Sequence, residues 1–178
     1  SRSRGASLAD LAARGGADPV PLTELNLGHL PASSAKKRDL TRATFLRAVK
    51  LLNVESLDGA DYKALFACPH LGALEVLSLG GCYSHEAAAM DVLLSADPPP
   101  NLRYLNLSGW KFTPANAARF ADSPIGRQLW GLTLMTSYTP PEAWREFYDA
   151  GLPLVGSPLF DTNAPCEYVT TTTFREEI

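Results

Sequence analysis

One apolar template, written five times at nearly constant spacing, limits this chain more than any other feature. Leu22-x-x-Leu25-x-Leu27, Val49-x-x-Leu52-x-Val54, Leu74-x-x-Leu77-x-Leu79, Leu102-x-x-Leu105-x-Leu107 and Leu129-x-x-Leu132-x-Leu134 share it. Their starts step by 27, 25, 28 and 27 residues. A unit of that length cannot bury its own apolar face, so neighbours must stack and share one continuous core. Alternation within the template predicts short strands with the leucines inward. The third, fifth and seventh positions then fall on the opposite face.

Between the predicted strands the apolar period lengthens from two to about 3.6, which predicts a strand–loop–helix unit. After Leu27 and Pro31, the residues Leu40, Phe45, Leu46 and Val49 have helical spacing. Asp58 is placed to cap a helix through Tyr62, Leu65 and Phe66 that ends at Pro69. Ser84, three residues before Ala87, precedes a helix with Glu86 in its first turn and Met90, Leu93 and Leu94 on one face, which must stop before Pro98-Pro99-Pro100. Thr113-Pro114 reads as N-cap and first helical position, since proline lacks only an N–H that is unpaired there. Thr139-Pro140 with Glu142 predicts the same arrangement, and Trp144, Phe147 and Tyr148 then form one apolar packing stripe before Gly151.

The ends depart from the template. Residues 1–21 hold Leu8, Leu11 and Ala12 before Gly15-Gly16, which predicts an N-terminal cap or a truncated preceding repeat. Residues 22–155 hold the repeats, with Leu152-x-x-Val155 as a degenerate sixth strand. Residues 156–178 form a C-terminal cap or a tail that orders on binding. The β-branched and aromatic run at 168–174 favours an extended strand, as the exposed end of a stack must be covered.

These units resemble leucine-rich repeats of the ribonuclease-inhibitor-like kind, in which a Leu-x-x-Leu-x-Leu strand precedes a full helix. The stretch Ala67-Cys68-Pro69-His70-Leu71-Gly72-Ala73-Leu74-Glu75-Val76-Leu77 is similar to bacterial members, and the alanine, arginine and proline usage fits a GC-rich genome. The resemblance implies an α/β fold: a leucine-rich-repeat solenoid, a right-handed horseshoe fragment with a parallel concave sheet and convex helices. It also implies an asparagine or cysteine three residues after the last strand leucine. Leu30, Leu57, Cys82, Trp110 and Ser137 occupy those positions, and only Cys82 matches. Trp110, too large for the slot, is expected to turn outward or to pack on Phe112.

Net charge is −3 over 178 residues, which argues against a nucleic-acid or anionic-membrane binder. No run of 18 apolar residues is present to span a membrane. No signal peptide is visible, although a chain opening at Ser1 without methionine is equally a piece of something longer. Cys68, Cys82 and Cys166 form no Cys-x-x-Cys pair, so reduced, mostly buried thiols and a cytoplasmic location are expected.

Catalysis needs a base, a nucleophile or a metal held within mutual reach. His29, His70 and His85 fall at different points of their units and read as solvated loop residues. No nucleophile elbow, phosphate-cradling lysine loop or zinc-binding helix motif occurs. Lys36-Lys37-Arg38 with Arg42 and Arg47 reads as a solvated helix face or a contact for an acidic partner. Asn106-Leu107-Ser108 matches a glycosylation sequon but falls within a predicted strand. No catalytic residue, cofactor or metal site is therefore expected.

What remains is a surface. The third positions are Glu24, Leu51, Val76, Tyr104 and Gly131. The fifth are Asn26, Asn53, Ser78, Asn106 and Thr133, and the seventh are Gly28, Glu55, Gly80, Ser108 and Met135. Following loops add Tyr83, Trp110, Phe112 and Tyr138. Aromatics on a polar rim are typical interface anchors. Leu51, Val76, Tyr83, Tyr104, Trp110, Phe112, Met135 and Tyr138 are thus the candidate partner-binding residues, unless the aromatics fold over the loops or lie under the tail. The sequence predicts a non-enzymatic scaffold or adaptor that binds a protein. The alternatives are the substrate-recognition domain of a larger enzyme or effector, and an inhibitor using Glu24 and Glu55.

Overall fold

The computed structural model describes residues 23–29, 44–55, 57, 59–80, 86–134 and 139–155. Six strands form one all-parallel sheet in chain order: β1 (Glu24–His29), β2 (Leu51–Glu55), β3 (Val76–Ser78), β4 (Tyr104–Asn106), β5 (Gly131–Thr133) and β6 (Leu154–Val155). Between them lie a 3₁₀ turn (Thr44–Ala48) and the helices α1 (Gly59–Phe66), α2 (Glu86–Ser95), α3 (Pro114–Asp122), α4 (Pro124–Gln128) and α5 (Pro141–Asp149). The chain is an α/β protein.

Register follows the template. Glu24, Leu51, Val76, Tyr104 and Gly131 are successive partners across the sheet. So are Asn26, Asn53, Ser78, Asn106 and Thr133. The residues between these rows, Leu25, Leu52, Leu77, Leu105, Leu132 and Leu154, are all buried. Their one-sided burial gives β3 and β4 an alternation of half-buried, buried and half-buried residues. Because side chains alternate with period two, a slip of one residue would turn every one of these leucines out of the core. Each contributes roughly 1.5–3 kcal/mol by leaving water.

Two rows depart from the expected register. A bulge between Asn26 and His29 pairs His29, not Gly28, with Glu55. In the last unit Leu154 partners Leu132 and Val155 partners Thr133. The buried slot thus belongs to Leu154, and the template read from Leu152 is one residue out of phase.

The strand leucines and one side of each helix belong to a single core, which includes Tyr62, Leu65, Met90, Leu93, Phe120, Ile125, Trp144 and Phe147. Successive helices pack on one another: α1 on α2, α2 on α3 and α4, and α3 on α4 and α5. The Thr113-Pro114 start behaves as expected, with Thr113 Oγ1 accepting from Asn116 N at 3.2 Å. The last helix starts one residue later than the sequence suggests. Pro140 is the N-cap and Pro141 opens α5, while the Thr139 hydroxyl is buried with no hydrogen-bond partner among the described residues. Tyr148 also leaves the expected stripe: it is 44% exposed, while Trp144 and Phe147 are buried.

The helix α4 has no counterpart in the sequence reading. Ser123 ends α3 and caps α4, donating to Phe120 O at 2.6 Å and accepting from Gly126 N at 3.0 Å. Ser123-Pro124 repeats the Thr113-Pro114 signature, which is the signal that marks this start. So sharp a corner requires Gly126, because a Cβ there would stand 2.1 Å from Phe120 O.

Candidate protein-binding face

The open face of the sheet is built from the residues that alternate with the buried leucines. Leu51, Val76 and Tyr104 lie in register on it, each half-buried. Four strand steps of roughly 4.8 Å make the row from Glu24 to Gly131 about 19 Å long. The Tyr104 ring lies against Gly131, where an added Cβ would come within 2.6 Å of its Cδ1 and 3.4 Å of Val155 Cγ2. Glycine at this position gives the ring a seat on the sheet.

The polar row beside it is tied across strands. Asn53 Nδ2 donates to Asn26 Oδ1 at 3.0 Å, and Asn106 Nδ2 donates to Ser78 Oγ at 3.2 Å. Asn106 Oδ1 also accepts from Ser108 N at 2.9 Å and from Ser108 Oγ at 2.6 Å. These bonds turn the Asn106-Leu107-Ser108 sequon inward on its own backbone, where it joins strand β4 to the following turn at Gly109 (φ 87°).

Two of the expected anchors are in the core instead. Trp110 is 0% exposed and Phe112 is 1% exposed, so neither presents a surface to a partner. The reason is a hydrogen bond as well as packing. The Trp110 indole Nε1 donates to Leu79 O, in the preceding unit, at 2.7 Å. Its ring meets Tyr62 edge-on at a centroid separation of 5.5 Å. Trp110 therefore fills the slot expected for asparagine or cysteine and bonds the neighbouring backbone from it. Phe112 meets Phe120 and Phe147 edge-on. Tyr83, Met135 and Tyr138 lie outside the described residues.

His70 also departs from expectation. It is buried, and its Nδ1 accepts from Arg47 Nε at 3.3 Å, which joins the unit ending at β2 to the turn before β3. The side chains of His29 and His85, and the basic residues from Lys36 to Arg42, lie outside the described residues. Burial raises the Cys68 thiol above its ordinary value, opposed by a weaker backbone hydrogen bond from His70. Cys68 is buried and packs in the core. Cys82 and Cys166 lie outside the described residues.

The edge where the chain runs into the sheet carries a fourth row. Lys50, Glu75, Arg103 and Trp130 each immediately precede a residue of the first open-face row, and their backbones are bonded in sequence. Lys50 Nζ meets Glu75 Oε1 at 2.8 Å. The Arg103 guanidinium carbon sits 5.0 Å from the centroid of Trp130. Slightly further back, Asn101 Nδ2 donates to Gly72 O at 2.7 Å, and Gln128 Nε2 donates to Pro99 O and Leu102 O at 2.7 and 2.9 Å. Asn101 and Gln128 hold the same place in their units, three residues before Tyr104 and Gly131. Aligning the units on the third template position brings out both columns. Reading the open face alone passes over them, since they fall outside the strand alternation.

Among the described residues no group of three or more His, Cys, Asp or Glu is placed to hold a metal ion. No helix among them is long and apolar enough to cross a membrane. On the helical side a shallow cavity of about 450 Å³ lies between α1 and α2, with Phe66 and Val92 in its wall and Lys63, Asp91 and Asp97 at its rim. Searches of family models, curated proteins and solved structures return no match to this chain.

Proposed function

We propose that this chain is a leucine-rich-repeat solenoid that works as a non-enzymatic interaction module, a scaffold or adaptor of the bacterial cytoplasm. It holds a protein partner against the open face of its sheet and the adjoining loops. The observation that carries this reading is the in-register pair of rows on that face. One is half-buried and apolar at Leu51, Val76 and Tyr104, and the other is polar and fixed by side-chain bonds. A rigid surface of alternating apolar and polar rows gives a partner area to bury and a fixed hydrogen-bond pattern to match. The rows are held by a sheet whose leucines are buried, so little conformational freedom is lost when a partner docks.

The test is affinity capture from the native host with three forms of the protein: unaltered, Leu51→Glu with Val76→Glu, and Arg119→Glu on the helical side. Circular dichroism establishes that each is folded. The expected result is a protein retained by the unaltered and Arg119→Glu forms and lost with the sheet-face pair. A capture profile indifferent to the sheet-face pair, or one lost only with Arg119→Glu, refutes the proposal.

A further inference from the structure

Resting on that reading, we infer that Arg103 and Trp130, with Tyr104 beside them, anchor the interface, and that the partner presents a carboxylate side chain next to an apolar one. Three observations converge here. Trp130 is 42% exposed, whereas Trp110 and Trp144 are buried. Large apolar area left in water beside a cation is the composition of an interface centre, where tryptophan, tyrosine and arginine dominate. Arg103 immediately precedes Tyr104 at the start of β4, and Trp130 immediately precedes Gly131 at the start of β5. Trp130 N and Gly131 N both donate to Arg103 O, at 2.7 and 3.1 Å. Tyr104 in turn rests on Gly131, so backbone pairing brings the three residues side by side.

The charges decide the class of partner. Lys50 is engaged with Glu75 at 2.8 Å, which settles the cation and anion on that side against each other. Arg119 and Arg127 likewise face Asp91 and Asp122. Arg103 has no carboxylate partner among the described residues. Its Nη1 donates to the neighbouring Leu102 O at 3.2 Å, and its guanidinium lies over the Trp130 ring. The ring contact and this one hydrogen bond hold the guanidinium in place and leave its other N–H groups to donate to a carboxylate in fork geometry. The exposed indole offers an apolar seat next to it. A polyanion is a poor fit, because Glu75 and Glu24 flank the same rows and the whole chain carries a net charge of −3. The complement is one acidic residue with an aromatic or large aliphatic neighbour.

The experiment pans a phage-displayed library of random dodecapeptides against the unaltered protein. The best clone is then synthesised and titrated against Arg103→Gln, Arg103→Lys, Trp130→Phe, Trp130→Ala and Val76→Glu forms whose folding is checked by circular dichroism. The expected clones carry Asp or Glu beside an aromatic or aliphatic residue. Arg103→Gln weakens binding at least about tenfold, as for an interface anchor. Arg103→Lys, which keeps the charge and loses the fork, weakens it less, and Trp130→Ala weakens it more than Trp130→Phe. Enriched clones without acidic residues, no enrichment at all, or equal binding by the Arg103→Gln form overturns the inference. If Val76→Glu abolishes binding while Arg103→Gln leaves it intact, the sheet-face function stands and only the anchor is wrong. If neither substitution matters, both readings fall.

Discussion

β1 and β2 run for six and five residues, and the described residues between them hold a 3₁₀ turn, Thr44–Ala48, that buries Leu46. β3, β4 and β5 run for only three residues each, and full helices follow them as α1 follows β2. The same template is thus held together in two ways. At the first end, strand pairing, an exposed asparagine pair and the Arg47–His70 bond accompany a core of aliphatic side chains with Tyr62. At the second, the helical layer adds a cluster of aromatic rings. There Phe112, Phe120, Phe147 and Trp144 meet edge-to-face at centroid separations of 5.1–6.2 Å. A stack of repeats need not be equally stable along its length, because each unit answers only to its neighbours.

The largest effect expected from this contrast is at Phe147, which touches three other rings. Phe147→Ala should cost about 3–5 kcal/mol in urea unfolding, whereas Leu46→Ala should cost about 2–3 kcal/mol. Native-state hydrogen exchange sharpens the comparison. With Phe147→Ala, amide protection should fall in α3, β5 and α5 first, and with Leu46→Ala in β1 and β2. Equal losses, or protection falling uniformly in both variants, would show one cooperative block with no division between its ends.

Trp110 lies at the junction, where its indole reaches back from the fourth unit to Leu79 O in the third. Trp110→Phe keeps most of the apolar volume but leaves that buried carbonyl without its donor. A loss of about 1–3 kcal/mol is expected. The readout specific to the hydrogen bond is faster exchange in β3 and β4 together, since both lose the same tie. A change confined to β4 would mean that Trp110 acts by volume alone.

The place of Trp110 also shows where sequence reasoning stops. Template spacing set the register of five strands because alternation with period two leaves only one way to bury their leucines on one side, while the sixth, read from Leu152, was one residue out of phase. Thr113-Pro114 set a helix start because both residues act locally. The slot after β4 is different. Size alone argued against an inward tryptophan, yet the third unit supplies a carbonyl at bonding distance and the second supplies Tyr62 for an edge-on contact. Neither lies near Trp110 in the chain. Thr139 misled for a related reason: Thr-Pro-Pro offers two adjacent places for a helix to begin, and the packing of Trp144 and Phe147 selects the second. Of the proposed binding face, the rows through Leu51, Val76 and Tyr104 were legible. Arg103 and Trp130 were not, because their partnership runs between units and falls outside the strand alternation.

The smallest expected effect tests whether the polar row on the open face follows the same division. Asn53 donates to Asn26 at an exposed site, and Asn106 is partly buried with three bonds that join Ser78, the backbone of Ser108 and its hydroxyl. Water replaces the first bond at little cost, so Asn53→Ala should change stability by no more than about 0.5 kcal/mol. Removing Asn106 leaves the Ser108 N–H to find another partner in a half-buried turn, and Asn106→Ala should cost about 1–2 kcal/mol. Asn106→Asp separates the parts, since it keeps the acceptor for Ser108 and loses only the amide donor to Ser78. Most of the loss should be recovered with aspartate if the turn at Ser108 matters more than the cross-strand bond. If aspartate is no better than alanine, the bond to Ser78 is the one that counts, and the polar row is a cross-strand ladder at both ends of the sheet alike.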